Sequence, residues 1–146
     1  MSDPAPPSPP EVIIAGYGLP GRFVAELLEF RNIPYCVIET NEDVAARCSN
    51  AGTPIIFGNV REEQTLRRAG ILQAKFLVIS VPDEQATFEA IEIAKRLNPA
   101  IRITVRSAYT SGGLHAQQLG ADQVVVAEQV VAREFFRVVE TQLPRA

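Results

Sequence analysis

Val12-Ile13-Ile14-Ala15-Gly16-Tyr17-Gly18-Leu19-Pro20-Gly21 is the stretch that decides the fold. A β-branched apolar run leads into three glycines spaced G-x-G-x-x-G, and a helical pattern follows. This order of strand, glycine turn and helix is the signature of a dinucleotide-binding turn. Gly16 permits the sharp turn off the strand. Gly18 lets the backbone approach a phosphate, and Gly21 lets the helix pack closely on the sheet. The helix N-terminus then offers free N–H groups and the positive dipole end to an anion. The next apolar run, Tyr35-Cys36-Val37-Ile38, ends in Glu39, 18 residues beyond Gly21. A carboxylate there can accept hydrogen bonds from a ribose 2′-hydroxyl and repels a 2′-phosphate, which disfavours NADP.

Outward from this unit the chain alternates short apolar runs with helical patterns. Strands are expected at 11–15, 35–39, 54–57, 76–80, 101–105 and 123–126. Helices are expected at 21–31, from the caps Thr40 or Asn41 to 50, at 62–69, from Pro82 to 97, at 110–119 and at 128–142. In the first helix Phe23, Val24, Leu27 and Leu28 are read as one face. The fourth strand is read as buried on both faces. Six strands with intervening helices predict a Rossmann-type doubly wound α/β fold, a six-stranded parallel sheet with helices on both faces.

The remaining sequence bounds the function. A chain of 146 residues is one domain by length, with 1–10 (five of the eleven prolines) set apart as a disordered, proline-rich leader and 11–146 as the nucleotide-binding domain. A net charge of −3 argues against a nucleic-acid partner. No apolar run reaches the ~18 residues of a membrane span, and the N-terminus has no signal-peptide core. Cys36 and Cys48 lack metal-ligand spacing and read as reduced core or boundary thiols, with redox sensing as the alternative. His115, the single histidine, falls in the fifth helix and reads as a surface residue. No Ser–His–acid set, metal cluster or P-loop lysine is present.

In a doubly wound sheet the ligand lies outside the carboxyl ends of the strands. That rule selects Gly16, Tyr17, Gly18, Leu19, Pro20, Gly21 and Arg22 from the first turn, and Glu39 and Thr40 from the second. It selects Gly58, Asn59 and Val60 from the third, Ser80, Val81 and Pro82 from the fourth, and Arg106 from the fifth. Gly58 fits a turn as well as a site. Asn59 either caps the next helix or reads an adenine edge beside Val60. Arg106 either binds a phosphate or pairs with Glu39 or Asp83, and Arg22 reaches either a phosphate or solvent. The fourth and last helices carry more apolar residues than one packing face needs, Phe88 and Ile91 in the former, Val130, Val131, Phe135, Phe136, Val138 and Val139 in the latter. The expectation is a homodimer, with the last helix a candidate for exchange between subunits.

The segments VIIAGYGLPGR, YCVIETN, PIIFGNVREEQTL, RRAGILQAKFLVISVPD, AIEIAKRLNPAIRITVRS and LGADQVVVAEQ together resemble the RCK (KTN, or TrkA-N) nucleotide-binding domain over nearly all of 11–140. The G-Y-G-x-x-G-R turn, the V-R-S segment and the L-G-A-D run look most like the cytosolic domains of Kef-type cation:proton antiporters. The resemblance implies a ligand sensor and not an enzyme. Such domains bind NAD(H), AMP, ADP or ATP at the strand ends, dimerise through helical faces and control a membrane cation transporter or channel in potassium transport. It places the glycine turn on Gly16, Gly18 and Gly21 and the ribose acid on Glu39. Two departures matter. The loop that usually reads G-D-A is Gly58-Asn59-Val60, which puts its usual contact in doubt. Some relatives carry a basic residue in the turn where this chain has Leu19 and Pro20, which favours AMP or NAD(H) over ATP or ADP. The implied location is cytoplasmic, docked on the inner membrane face through the transporter. With neither a second C-terminal ligand domain nor a transmembrane part in the sequence, the expectation is a stand-alone subunit or a fragment. Two other readings stay open. One is a small NAD-dependent oxidoreductase, for which only Tyr17, Tyr35 and Tyr109 offer a phenol. The other is a structural dimerisation module with a vestigial site.

Overall fold

The computed structural model describes residues 8–145; seven of the ten residues read as a proline-rich leader, 1–7, lie outside the described residues. Strands β1 (Val12–Ala15), β2 (Tyr35–Glu39), β3 (Ile55–Phe57), β4 (Phe76–Ile79), β5 (Arg102–Ser107) and β6 (Gln123–Val126) form one sheet in the order β3-β2-β1-β4-β5-β6. Every pairing is parallel. Helices α1 (Leu19–Phe30), α2 (Glu42–Asn50), α3 (Glu63–Ala69), α4 (Glu84–Leu97), α5 (Thr110–Leu119) and α6 (Ala127–Gln142) follow the strands in turn. This is the Rossmann-type doubly wound sheet that the alternating pattern predicts.

Side chains of a strand alternate between faces, so each β-branched run feeds two cores. Ile13, Ala15, Ile38, Leu77, Ile79 and Ile103 join Leu66, Ile91 and Ala94 on the side covered by α3, α4 and α5. Val12, Ile14, Val37 and Ile55 join Ala25, Leu28 and Ala45 on the side covered by α1 and α2. β1 lies between β2 and β4, and its four residues are buried on both faces. Its carboxyl end is therefore held from both sides, and the glycine turn starts from a fixed point.

Local chemistry sets most boundaries. Asn41 and Asp83 cap α2 and α4 by accepting the Val44 and Ala86 N–H groups. Pro82 stands just outside α4, ahead of its cap. Gly70 closes α3 in the left-handed region. α1 begins at Leu19, two residues earlier than expected, because Pro20 suits a first helical turn. β5 runs on to Ser107, which puts Arg106 inside the strand.

Three expectations need correction. In α1 the inward residues are Gly21, Ala25 and Leu28; Phe23 and Leu27 fall on the opposite side of the helix, at about 100° per residue, and are exposed. In α4, Ile91 is fully buried and Phe88 half-buried, with the Phe88 ring edge-on to His115 at 4.5 Å. The domain itself covers that helix. β4 is not buried on both faces throughout, since Phe76 is 44% exposed where neither α1 nor α2 extends over the strand. In α6 no residue is buried within this chain.

Polar ties lock the far half of the sheet. Asp122 accepts the Ile103 N–H at 2.8 Å and the Lys95 ammonium at 3.5 Å, while Lys95 donates to the Ile101 carbonyl at 2.6 Å. The Ile103 N–H, and then the Lys95 charge, hold the Asp122 carboxyl below its ordinary range.

A carboxyl whose pKa is lowered by folding stabilises the fold above its unfolded value and loses that contribution as pH falls through the folded value. The stability gap between wild type and Asp122→Asn should be constant at neutral pH and narrow below about pH 4, as read by urea unfolding across pH. A Cβ on Gly21 would collide with the Gly16 carbonyl. Gly21→Ala should cost about 2–3 kcal/mol, measured as a lower denaturation midpoint with unchanged slope.

Candidate functional site

A cleft of about 580 Å³ opens over the carboxyl ends of β1, β2, β3, β4 and β5. It lies at the switch point beside β1, where the chain leaves for α1 on one side and α4 on the other.

The glycine turn forms one wall. Gly16 has φ +100°, and a Cβ there would crowd the Ser80 hydroxyl and Val81. Gly18 is the N-cap of α1 with no side-chain cap, and a Cβ on it would meet nothing within 4 Å. The first turn of α1 carries no acidic residue. Its first helical bond is Arg22 N–H to the Gly18 carbonyl at 3.0 Å. The Leu19 and Gly21 N–H groups thus lack an intrahelical acceptor, and they meet a dipole end with no side chain competing for it. Gly21 lies behind the lining, where it sets the helix-to-strand approach.

Glu39 sits at the end of β2 and faces the turn. Its Oε2 accepts the Tyr17 N–H at 2.9 Å and its Oε1 accepts the Asn41 N–H at 3.2 Å. One carboxylate therefore ties the β1 turn to the start of α2 and keeps lone pairs directed at the cleft. Ser80, buried at the end of β4, donates toward the Ala15 and Gly16 carbonyls at 3.1 and 3.2 Å. It fixes the turn from the other side.

Of the residues singled out from sequence, Gly16, Tyr17, Gly18, Leu19, Pro20, Glu39, Thr40, Asn59, Val60, Ser80, Val81, Pro82 and Arg106 line the cleft. Gly21, Arg22 and Gly58 stand outside the lining. Arg22 donates to the Tyr17 carbonyl at 3.3 Å and lies over the Tyr17 ring at 5.4 Å. Gly58 abuts Thr65 of α3. Asn59 does not cap α3, whose N-cap is Glu62; its Oδ1 accepts the Arg61 N–H at 2.9 Å within the loop. Val60 is a core residue with one edge on the cleft. Arg106 forms no ion pair with Glu39 or Asp83 among the described residues.

Ala15, Ile38, Arg61, Asp83 and Ala86 also line the cleft and were not singled out. Ala15 and Ile38 form apolar floor and could have been found by extending the strand-end rule one residue inward, whereas Asp83 and Ala86 come from the cap and first turn of α4. Arg61 could not. It is placed by Glu89 on α4, 28 residues away, through a forked pair at 2.5 and 3.1 Å. Glu89 keeps the guanidinium fully cationic, and Arg61 in turn holds the Glu89 carboxyl below its usual range. Elsewhere, burial pushes the Cys36 thiol up to about 11, which leaves it protonated and unreactive. His115 is exposed on α5, away from the cleft.

Among the described residues no group of three His, Cys, Asp or Glu is placed to hold a metal ion. No helix there is long and apolar enough to cross a membrane.

The chain is similar to known proteins in sequence and in fold. YbaL of Escherichia coli K12, named as a cation/proton antiporter, is 30% identical over 129 residues, which cover 88% of this chain and 23% of that protein. KefB of Alkalimonas amylolytica, named as a K(+) efflux antiporter, is 32% identical over 117 residues, 78% of this chain and 17% of KefB. The chain thus spans less than a quarter of the length of either relative. The crystal structure of the TrkA-N domain of YbaL from Escherichia coli superposes with a TM-score of 0.83 at 29% identity, over 88% of this chain and 95% of that one. A structure of GsuK bound to ADP gives a TM-score of 0.79 at 25% identity, over 90% of this chain and 34% of that one. The family model of the TrkA-N domain matches residues 12–127, and the chain belongs to that family.

Proposed function

We propose that this domain is a nucleotide sensor, binding AMP or NAD(H) at the switch-point cleft and controlling a membrane cation transporter or channel of the potassium-transport type. The carrying observation is the uncapped, acid-free N-terminus of α1 facing a cleft whose next wall presents Glu39. A phosphate on the Gly18 and Leu19 N–H groups, which line the cleft, and a ribose at Glu39 use both features at once. Leu19 and Pro20 give the turn no cation for the distal phosphates of a longer chain, which supports AMP or NAD(H) over ATP. The ADP held by GsuK supports an adenine nucleotide in this fold.

The transport role rests on the relatives, in which this domain is a small part of proteins named as cation antiporters. The domain works at the cytoplasmic face of the membrane, docked on its transporter. Control requires that nucleotide binds two states of the assembly with different affinity. We read the domain as a sensor and not an enzyme, because the polar groups of the cleft serve to hold a ligand. Glu39 is engaged by two backbone N–H groups and Asp83 by the Ala86 N–H, which leaves neither carboxylate set up as a general base.

The sensor is a homodimer. α6 exposes Val131, Phe135, Phe136 and Val139 together, with Phe135 and Phe136 about 70% accessible. Phe76 and Val125 are exposed on the half of the sheet that α1 and α2 leave bare. Apolar area of this extent marks an association surface, and a second copy offers the same surface in return.

Calorimetric titration should give micromolar binding of AMP or NADH with ATP weaker. Glu39→Lys should abolish it while the protein still unfolds in one cooperative transition, at a midpoint lowered by the two backbone hydrogen bonds lost. Unchanged affinity in that variant would remove the site from Glu39, and steady NADH oxidation with a small carbonyl would revive the oxidoreductase reading. In sedimentation at micromolar concentration the wild type should be a dimer and Phe135→Asp/Phe136→Asp a monomer. A monomeric wild type would contradict the dimer.

A further inference from the structure

The cleft contains a fixed cation that neither the glycine turn nor Glu39 accounts for. Its walls follow the strand order, with the phosphate-binding turn over β1, Glu39 over β2 and the loop Asn59–Arg61 over β3. A nucleotide with its phosphate on α1 and its ribose at Glu39 has its base directed to the β3 side. Arg61 lines the cleft there. Its Nε and Nη2 are held in a fork by Glu89, at 2.5 and 3.1 Å, and Gln85 reaches the same carboxylate at 3.5 Å. The guanidinium is planar and carries five N–H donors. The fork therefore sets its orientation and leaves the Nη1 side uncommitted.

The neighbouring groups have the same polarity. The Oδ1 of Asn59 is taken by the Arg61 N–H, so the free end of that side chain is its NH₂ donor. The Asn59 carbonyl is taken by the Glu62 N–H at 3.0 Å. Asp83 accepts from Ala86, and Glu39 from Tyr17 and Asn41. The side chains that the β3 loop brings to this end of the cleft, the Asn59 NH₂ and the Nη1 side of Arg61, are donors with no hydrogen-bond partner among the described residues.

We propose that Arg61 is the base-reading, specificity-determining residue of this cleft, with Glu89 as its positioning residue. The subsite takes a purine through its acceptor edge, so 6-oxopurine nucleotides are ligands as well as adenine nucleotides. This rests on the nucleotide reading above. Adenine offers ring nitrogens to such donors, and hypoxanthine or guanine adds a carbonyl at O6, the pair of acceptors that an arginine fork matches best. Rejection of a 6-oxopurine needs an acceptor placed for the adenine amine, whereas the polar side chains that the Asn59–Arg61 loop turns to the cleft present donors.

The test is calorimetric titration of the full chain with AMP, IMP, adenosine and ribose 5-phosphate, in wild type, Arg61→Ala and Glu89→Gln. In wild type IMP should bind within about tenfold of AMP. Arg61→Ala should weaken AMP, IMP and adenosine alike, by about tenfold, and leave ribose 5-phosphate unchanged. Glu89→Gln should show the same pattern with a smaller loss. Arg61→Gln replaces the alanine variant if thermal unfolding shows that one misfolded. Loss of AMP and ribose 5-phosphate affinity with adenosine unchanged would make Arg61 a phosphate ligand and overturn the proposal. Exclusion of IMP, or equal binding by Arg61→Ala and wild type, would overturn it too. A wild type that binds none of the four ligands fails at the nucleotide reading itself, a result distinct from failure at Arg61.

Discussion

The contact on which the site depends is the close approach of Gly21 to the Gly16 carbonyl, where α1 lies against the end of β1 with no side chain between them. That approach fixes where the helix begins. The start of the helix fixes where its unpaired N–H groups point, and those groups define the cleft. Everything nearby reinforces the same geometry. Ser80 holds the turn from β4, and Glu39 holds it from β2. The turn is thus clamped between its two neighbouring strands before any ligand arrives, a form of preorganisation that lowers the ordering cost of binding.

The sheet supplies the rigidity behind this arrangement. β1 is buried on both faces, and its neighbours carry two separate cores, one under α1 and α2, the other under α3, α4 and α5. Close packing of this kind transmits small displacements. The Arg61–Glu89 pair spans from the β3 loop to α4 across the cleft rim. In the sensor reading it offers a route by which an occupied cleft acts on α4. The contrast with α6 is direct. α4 spends its apolar residues inside the domain, whereas those of α6 remain accessible.

The alternation of apolar runs with helical patterns was enough to read the strand count, the helix count and the parallel sheet, because each signal is local. The Gly16–Gly21 turn and Glu39 were legible for the same reason: their spacing is short and set by one strand–turn–helix unit. What stayed hidden depends on distant partners. Phe23 and Leu27 share one side of α1, but that side lies opposite Gly21, Ala25 and Leu28, and only the packing of the helix on the sheet shows which of the two faces inward. Ile91 looked surplus on α4 until α3, α5 and the sheet were in place around it. Arg61 reads as one charge in a polar loop, and only Glu89, 28 residues on, places it in the cleft.

The central claim is that the cleft at the end of β1 binds a nucleotide. The most direct measurement is an amide-resolved NMR titration of the labelled protein with AMP. The account predicts saturable shifts centred on Tyr17, Gly18, Leu19 and Gly21, continuing through Glu39 to Asn59, while α6 stays still. Saturation without movement of those amides, or shifts centred on another surface, would contradict it.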